Sequence, residues 1–200
     1  MSGALRLKRV VDVVGAATGL VVTAPLVAAG AAAVVLEDGW PALFRQERSG
    51  LRGERFTILK LRTMVRDAGA RGAGMAVDSG DDRILRCGHL LRVTAVDELP
   101  QLWNVLRGEM SLIGPRPTLP EQVAAYSDHQ RRRLDVRPGL TGWSQVHGRT
   151  SIPWSQRIEL DVWYVDNWSL RLDMRILWMT VSQLLRPHET YKGETGGFDL

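Results

Sequence analysis

The run Arg92-Val93-Thr94-Ala95-Val96-Asp97-Glu98-Leu99-Pro100-Gln101-Leu102 sets two adjacent carboxylates near the middle of a 200-residue chain. Such a pair can divide the work at a phosphorus centre. One carboxylate attacks and forms an acyl phosphate. The other holds Mg²⁺, which favours oxygen ligands completed by substrate phosphates, or takes a proton. The same residues also read as a helix start, with Asp97 as cap, Glu98 in the first turn and Pro100 close behind. Thr94 and Asp97 even stand at capping-box spacing. Spacing alone leaves both readings open.

Cations able to meet a diphosphate surround this pair in the sequence. Lys60 and Arg62 flank Leu61, Arg83 and Arg92 precede the carboxylates, and Arg116 stands between Pro115 and Pro117. The two prolines fix φ and stiffen that loop. Arg149 follows Gly148. Arginine suits phosphate through its bidentate fork. Arg131-Arg132-Arg133 reads as an exposed run facing anionic lipid. Across the chain 26 Lys and Arg stand against 22 Asp and Glu, a net charge of +4. That excess fits phosphate-bearing partners or an anionic membrane surface without choosing between them. A single cysteine, Cys87, excludes a disulfide framework and a Cys-based zinc cluster. The four histidines are scattered, and no nucleic-acid-binding motif is recognised, so no nucleic-acid partner is expected.

These groups must be positioned by two unlike regions. From Val13 to Leu36 there are 24 residues without a charge, preceded by Arg6, Lys8, Arg9 and Asp12. As a helix they reach roughly 36 Å, enough for a hydrocarbon core of about 30 Å. The run reads as a spanning helix, as a signal peptide, or as a re-entrant hairpin broken at Pro25 into two limbs too short to cross. In the last case Thr23 is a candidate partner for a freed carbonyl. Beyond Trp40 the chain is amphipathic. Residues 43–48 and 55–61 predict a β-hairpin, and residues 66–82 a glycine-rich loop. Helices are expected over Thr94–Leu106, Pro120–Leu134, Ser155–Val165 and Leu170–Leu185. Arg137-Pro138-Gly139 reads as a turn and Gly142–Gly148 as a short strand. Trp154, Trp163, Trp168 and Trp178 beside Arg157, Arg171 and Arg175 suit either core packing or a headgroup layer. Residues 187–200 form a polar tail.

In this order the motifs resemble those of the monotopic phosphoglycosyl transferases, a bacterial sugar transferase family. The segments that carry the resemblance are Lys8-Arg9 with Asp12, the apolar run around Pro25, and Arg48 to Gly53 leading to Lys60-Leu61-Arg62-Thr63-Met64. Asp82-Arg83, Gly88 to Arg92, Val96 to Asn104, Gly108 to Pro117, Arg137 to Gly142, Gly148-Arg149 and Asp161 through Tyr164 to Asp173 follow. The resemblance implies transfer of a sugar 1-phosphate from a UDP-sugar to polyprenyl (undecaprenyl) phosphate, with UMP released and a membrane-linked glycan begun. It makes Asp97 the nucleophile and Glu98 its partner, both near Mg²⁺. Lys60, Arg62, Arg83, Arg92 and Arg116 become phosphate or nucleotide ligands, with Arg149 and Asp161 behind them. It implies an α+β, mainly helical fold with a re-entrant membrane helix broken at Pro25, amphipathic interfacial helices and a small β-hairpin. The expected organisation is a membrane helix region over 1–38, a cytoplasmic-face catalytic domain over 39–186 and the tail, in the minimal form of the family, in contact with membrane lipid and admitting a homodimer. The pattern departs from the family in Ala24 where Ser is common before the proline, in Leu61 for Phe, and in Val93 and Ala95 for polar residues. A membrane-tethered scaffold that has lost catalysis is the rival reading, and the intact Asp97-Glu98 pair speaks against it.

Overall fold

The computed structural model describes residues 3–68, 81–148 and 152–185. The polar tail, Arg149 and most of the glycine-rich loop lie outside the described residues. The fold is mainly helical with two small sheets. Its first element is one long helix, α1 (Gly3–Asp38), whose helical pattern continues through Pro25. The two separate limbs expected from the proline are not seen. Thr23 Oγ1 donates to the carbonyl of Gly19 at 2.7 Å, one turn back along the same helix. It does not serve the carbonyl of Val21, which Pro25 deprives of an amide donor.

A hairpin follows, with β1 (Leu43–Ser49) antiparallel to β2 (Arg55–Leu61). Its register pairs Phe44 with Lys60, Gln46 with Ile58 and Arg48 with Phe56. Side chains alternate along a strand, so these six share one face. Next comes α2 (Arg86–Val93). Its first amides, from Arg86 and Cys87, donate to the Glu37 carboxylate at 2.6 and 2.9 Å, so the end of α1 caps the start of α2.

The expected helix over Thr94–Leu106 is split. Thr94 closes α2, its hydroxyl donating to the carbonyl of Leu90 at 2.7 Å, and the capping box anticipated from its spacing does not form. Ala95 takes a left-handed conformation at φ 56°. A single 3₁₀ turn, Val96–Glu98, then carries the carboxylates into α3 (Gln101–Arg107). Phe56 and Ile58 of the hairpin share a core cluster with Leu102 and Val105 of α3, Met110, and Ala16 of α1.

After α3, β3 (Ser111–Ile113) is followed by α4 (Pro120–Ala124) and α5 (Asp128–Arg131). The helix expected over Pro120–Leu134 is thus broken too. Ser127 starts a new one, its hydroxyl accepting from the Gln130 amide while the Gln130 side chain accepts from the Ser127 amide. The strand expected over Gly142–Gly148 is displaced to β4 (Gly139–Thr141), which runs parallel to β3, and Trp143–Val146 form the one-turn α6. Gly139 serves close approach rather than a turn. A Cβ on it would sit 2.0 Å from the Gly114 nitrogen. The chain ends in α7 (Trp154–Asp166) and α8 (Leu170–Leu185), near the bounds predicted from periodicity.

Both ends of α1 are bonded to this body. Near its start Lys8 Nζ donates to Asp173 at 2.7 Å and to the carbonyl of Ile113 at 3.0 Å. Arg9 donates to the carbonyls of Val105 and Leu106. Asp12 accepts from the Ser111 hydroxyl and the Leu112 amide. Asp173 also receives the Tyr164 hydroxyl and the Trp168 indole. Near its end, Val34 is buried against Leu61, Leu85, Leu91 and Val96, and Asp38 pairs with Arg62. The outward side of α1 is apolar, exposing Val10, Val14, Val21, Val22, Leu26 and Leu36. Amphipathic α8 exposes a second apolar stripe through Met174, Trp178, Val181 and Leu185.

Candidate active site

The site is assembled from four elements around the 3₁₀ turn. Glu98 Oε1 accepts from Lys60 Nζ at 2.7 Å and from Arg116 Nη2 at 2.8 Å. Lys60 comes from β2 and Arg116 from the Pro115–Pro117 loop, so the carboxylate is the joint between hairpin and loop. Burial alone would raise the Glu98 pKa, but the charges and hydrogen bonds of Arg116 and Lys60 outweigh it and hold the carboxyl well below its usual range. Lys60 is pushed down by its own burial, with Glu98 opposing.

Asp97 is the opposite case. It is 8% exposed and accepts no hydrogen bond from any described residue. Burial, and then the charge of Glu98, raise its pKa from 3.8 to about 6, against the pull of Lys60, Arg92 and Arg116. Neighbouring carboxylates are thus driven apart: one permanently ionised and clamped by cations, the other desolvated, unbonded and ionised only above about pH 6. That divergence is what assigns two acids different tasks.

The cations sort by what holds them. Arg92 donates through Nε to the Thr63 hydroxyl at 2.8 Å and its charge reaches Asp97. Arg116 is held from behind. Buried Arg133 donates to the Arg116 carbonyl at 3.0 Å and to the Tyr126 hydroxyl at 2.6 Å, and pairs with Asp161, which also accepts from the Ser144 hydroxyl at 2.7 Å. Arg133 is therefore not the exposed lipid-facing cation expected from its run; at 2% exposed it is an internal strut. Asp161 is 1% exposed and lies behind the loop as the strut's counter-charge.

Lys60, Arg92, Arg116, Asp97 and Glu98 are brought together; besides Asp161, the predicted ligands Arg62 and Arg83 are not. Arg62 follows the last residue of β2 and turns to the end of α1, donating to the carbonyls of Pro41 and Gly39 and pairing with Asp38. Arg83 is buried and forks onto Asp81, through Nε at 2.8 Å and Nη2 at 2.5 Å.

Arg48 was left unassigned by sequence reasoning and joins the site. It lies on the same hairpin face as Lys60, and its charge is felt by Arg116 and Glu98. Strand alternation across an antiparallel pair is the signal that could have found it.

For a cation, the free Oε2 of Glu98 and the unbonded Asp97 carboxylate are the available donors. Mg²⁺ takes one or two protein carboxylates and completes its shell with water and substrate phosphate, and this pair fits that pattern. No group of three His, Cys, Asp or Glu side chains suited to a metal occurs among the described residues. Beside the site, an open groove of about 690 Å³ is lined by Trp40, Phe44, Arg45 and Arg66 among others; Phe44 is the cross-strand partner of Lys60.

Known proteins resemble this chain over nearly all of its length. The Bacterial sugar transferase family profile matches residues 3–187. The chain is 45% identical over 179 residues to the uncharacterized sugar transferase EpsL of Bacillus subtilis, covering 90% of this chain and 87% of that protein. It is 46% identical over 197 residues to the UDP-glucose:undecaprenyl-phosphate glucose-1-phosphate transferase of Caulobacter vibrioides, covering 92% and 72%. With the undecaprenyl-phosphate galactose phosphotransferase of Salmonella typhimurium it shares 35% identity over 199 residues, covering 92% of this chain and 42% of that protein. The chain belongs to the bacterial sugar transferase family.

Proposed function

We propose that this protein transfers a sugar 1-phosphate from a UDP-sugar to polyprenyl phosphate through an Asp97-linked intermediate. The observation that carries the reading is the carboxylate pair itself. Asp97 is desolvated and unbonded, next to a Glu98 kept ionised by Lys60 and Arg116. A carboxylate largely withdrawn from solvent and bonded to no described donor can serve as a nucleophile once ionised. Relatives named as transferases that use undecaprenyl phosphate support the substrate class.

In this reading an Asp97 oxygen attacks the phosphorus that bears the sugar. The bond from that phosphorus to the bridging oxygen breaks, and UMP leaves with the electron pair. An oxygen of polyprenyl phosphate then attacks the same phosphorus. The Asp97 carboxylate is released and a polyprenyl diphosphate sugar is formed. Lys60, Arg92 and Arg116 lie where negative charge gathers, so the protein contributes mainly position and fixed charge. Mg²⁺ bound at Glu98 and Asp97 with substrate phosphate oxygens would neutralise diphosphate charge.

The membrane arrangement follows from α1. A spanning helix would carry one of its ends to the far side, yet Lys8 and Arg9 at one end and Glu37 and Asp38 at the other bond the same polar body. Crossing would force buried ion pairs apart or pull that body into hydrocarbon, at a cost of several kcal/mol per exposed polar group. We therefore read α1 as entering and leaving on one face. That face is cytoplasmic, where a nucleotide sugar is available, and the stripes on α1 and α8 meet lipid.

The test is a panel of UDP-sugars with undecaprenyl phosphate and Mg²⁺, followed as UMP release by the protein in nanodiscs. One sugar should support turnover, and stoppage before acceptor addition should leave a sugar phosphate on the protein that Asp97→Asn does not form. Turnover by Asp97→Asn at the parent rate overturns the mechanism.

A further inference from the structure

Arg48 presents an imbalance that the folded chain does not resolve. Its Nη2 donates to the neutral amide of Gln46 at 2.6 Å, two residues away on the same strand. Its Nε is buried with no hydrogen-bond partner, and no carboxylate of the described residues pairs with it within 4 Å. Lys60 and Arg116, by contrast, both pair with the Glu98 carboxylate, while Arg92, like Arg48, donates to a neutral acceptor, the Thr63 hydroxyl. A partly buried guanidinium with no carboxylate in contact is costly, and more so beside a second cation. Burial and the neighbouring Arg116 draw the Arg48 pKa down to about 10, against the weaker pull of the Glu98 and Glu121 carboxylates.

A second unspent polar group belongs to the same corner. Thr118 Oγ1 is buried without a partner, and its residue is bridged to Ser49, the neighbour of Arg48, by a 2.8 Å backbone hydrogen bond. On the other side of the carboxylates, Gln101 Nε2 is also buried and unbonded, one helical turn beyond Asp97. The site thus carries Lys60, Arg48, Arg92 and Arg116 against Asp97 and Glu98, with Glu121 acting on Arg48 from α4, and donors are left over where Arg48 meets the Arg116–Thr118 loop.

We propose that Arg48 is a phosphate-binding residue, its guanidinium the counter-charge for a substrate phosphate seated beside Arg116. The proposal rests on the transferase reading for the identity of the ligand, which is a phosphoryl oxyanion of either the nucleotide diphosphate or the lipid phosphate. It adds a cation to the site that acts on substrate rather than on Glu98.

The experiment compares the full chain in nanodiscs with Arg48→Gln and Arg48→Lys. UDP and inorganic phosphate are the binding probes, read by calorimetry. Thermal unfolding is measured without ligand, and KM is measured for each substrate. Arg48→Gln is expected to weaken UDP or phosphate at least tenfold, with Arg48→Lys recovering part of the loss. The ligand-free unfolding midpoint is expected to stay level or rise, because an uncompensated charge has been removed. A raised KM for the UDP-sugar assigns the oxyanion to the donor, and a raised KM for polyprenyl phosphate assigns it to the acceptor. Unchanged probe affinity and unchanged KM for both substrates overturn the proposal. A collapse of the ligand-free fold in Arg48→Gln overturns it too, since a structural counter-charge is then implied. Should the parent protein turn over no UDP-sugar, the transferase reading fails while the UDP and phosphate arms still judge Arg48.

Discussion

Replacing Asp97 by Asn should make the protein more stable at neutral pH, and the gain should vanish in acid. Asp97 has an ordinary pKa of 3.8 when the chain is unfolded and about 6 when folded. A raised carboxyl pKa means the folded state binds the proton more tightly. Its contribution to stability is therefore fully present below pH 4 and lost as pH rises through 6. The gap corresponds to on the order of 3 kcal/mol at neutral pH, at about 1.36 kcal/mol per pH unit. That figure already nets the attraction of Lys60, Arg92 and Arg116 against burial and Glu98. Asparagine keeps the shape and removes the charge. For a chain of this size about 2–4 °C accompanies each kcal/mol, so the midpoint should rise by roughly 6–12 °C at pH 7.5. The assay is thermal unfolding of parent and Asp97→Asn in nanodiscs at pH 4, 5, 6 and 7.5. The difference should open between pH 4 and 6 and then level off. A variant no more stable than the parent at pH 7.5, or equally stabilised at pH 4, refutes the assignment of a desolvated, strained carboxylate.

Three further outcomes follow from the same geometry. Lys60→Met removes a cation that favours ionised Asp97, so the acidic limb of kcat/KM for the donor should move to higher pH by about one unit or more, the low end for an opposite charge within 4–6 Å; an unmoved limb counts against Asp97 as the ionising group. Asp161→Asn leaves Arg133 buried and unpaired and should cost roughly 3–5 kcal/mol in denaturant unfolding, whereas Asp161→Leu with Arg133→Met should recover most of it. With Cys87 replaced by Ser, cysteines at Leu5 and Trp40 should both react with an impermeant thiol reagent from the same face of inverted vesicles; reaction from opposite faces rules out a helix that enters and leaves on one side.

What could be read from the sequence was local, and what could not was decided by distant partners. The hairpin, α7 and α8 follow from alternation and helical periodicity, which are properties of a few neighbouring residues. The helices expected over 94–106 and 120–134 broke where a single residue intervened. Ala95 adopts a left-handed conformation that no propensity scale favours for alanine, and Ser127 restarts the chain with its own cap. At the site, Lys60, Arg92, Arg116, Asp97 and Glu98 were legible because a diphosphate site needs those types close together. Arg62 and Arg133 have the same chemistry as Arg116, and their fates depend on Asp38 and Asp161, 24 and 28 residues away. Arg48 was hidden for the converse reason. Strand alternation puts it on the Lys60 face, but its lack of a carboxylate partner is a property of the folded site that no sequence pattern carries.

Under the proposed function, membrane depth and chemistry are coupled by a short path. Val96, immediately before the carboxylates, is buried in the cluster that contains Val34 of α1 and Leu61 of β2. Gly30 of α1 is what permits that approach, since a Cβ there would come within 2.8 Å of Leu61 and 3.0 Å of Leu91. Leu99, immediately after them, packs against both this cluster and the one holding Ala16 and Leu102. The turn bearing Asp97 and Glu98 is therefore pinned on both sides by residues that touch α1 or its direct neighbours. Packed interiors transmit displacement rather than absorb it, so wherever lipid seats the outer side of α1, the carboxylates are carried to a fixed offset from it. A soluble diphosphate and a lipid-borne phosphate can meet at Asp97 only if that offset matches the headgroup layer. The small residues along α1, Gly15, Ala16, Gly19 and Gly30, are in this account part of the catalytic geometry, although none of them approaches a reacting atom.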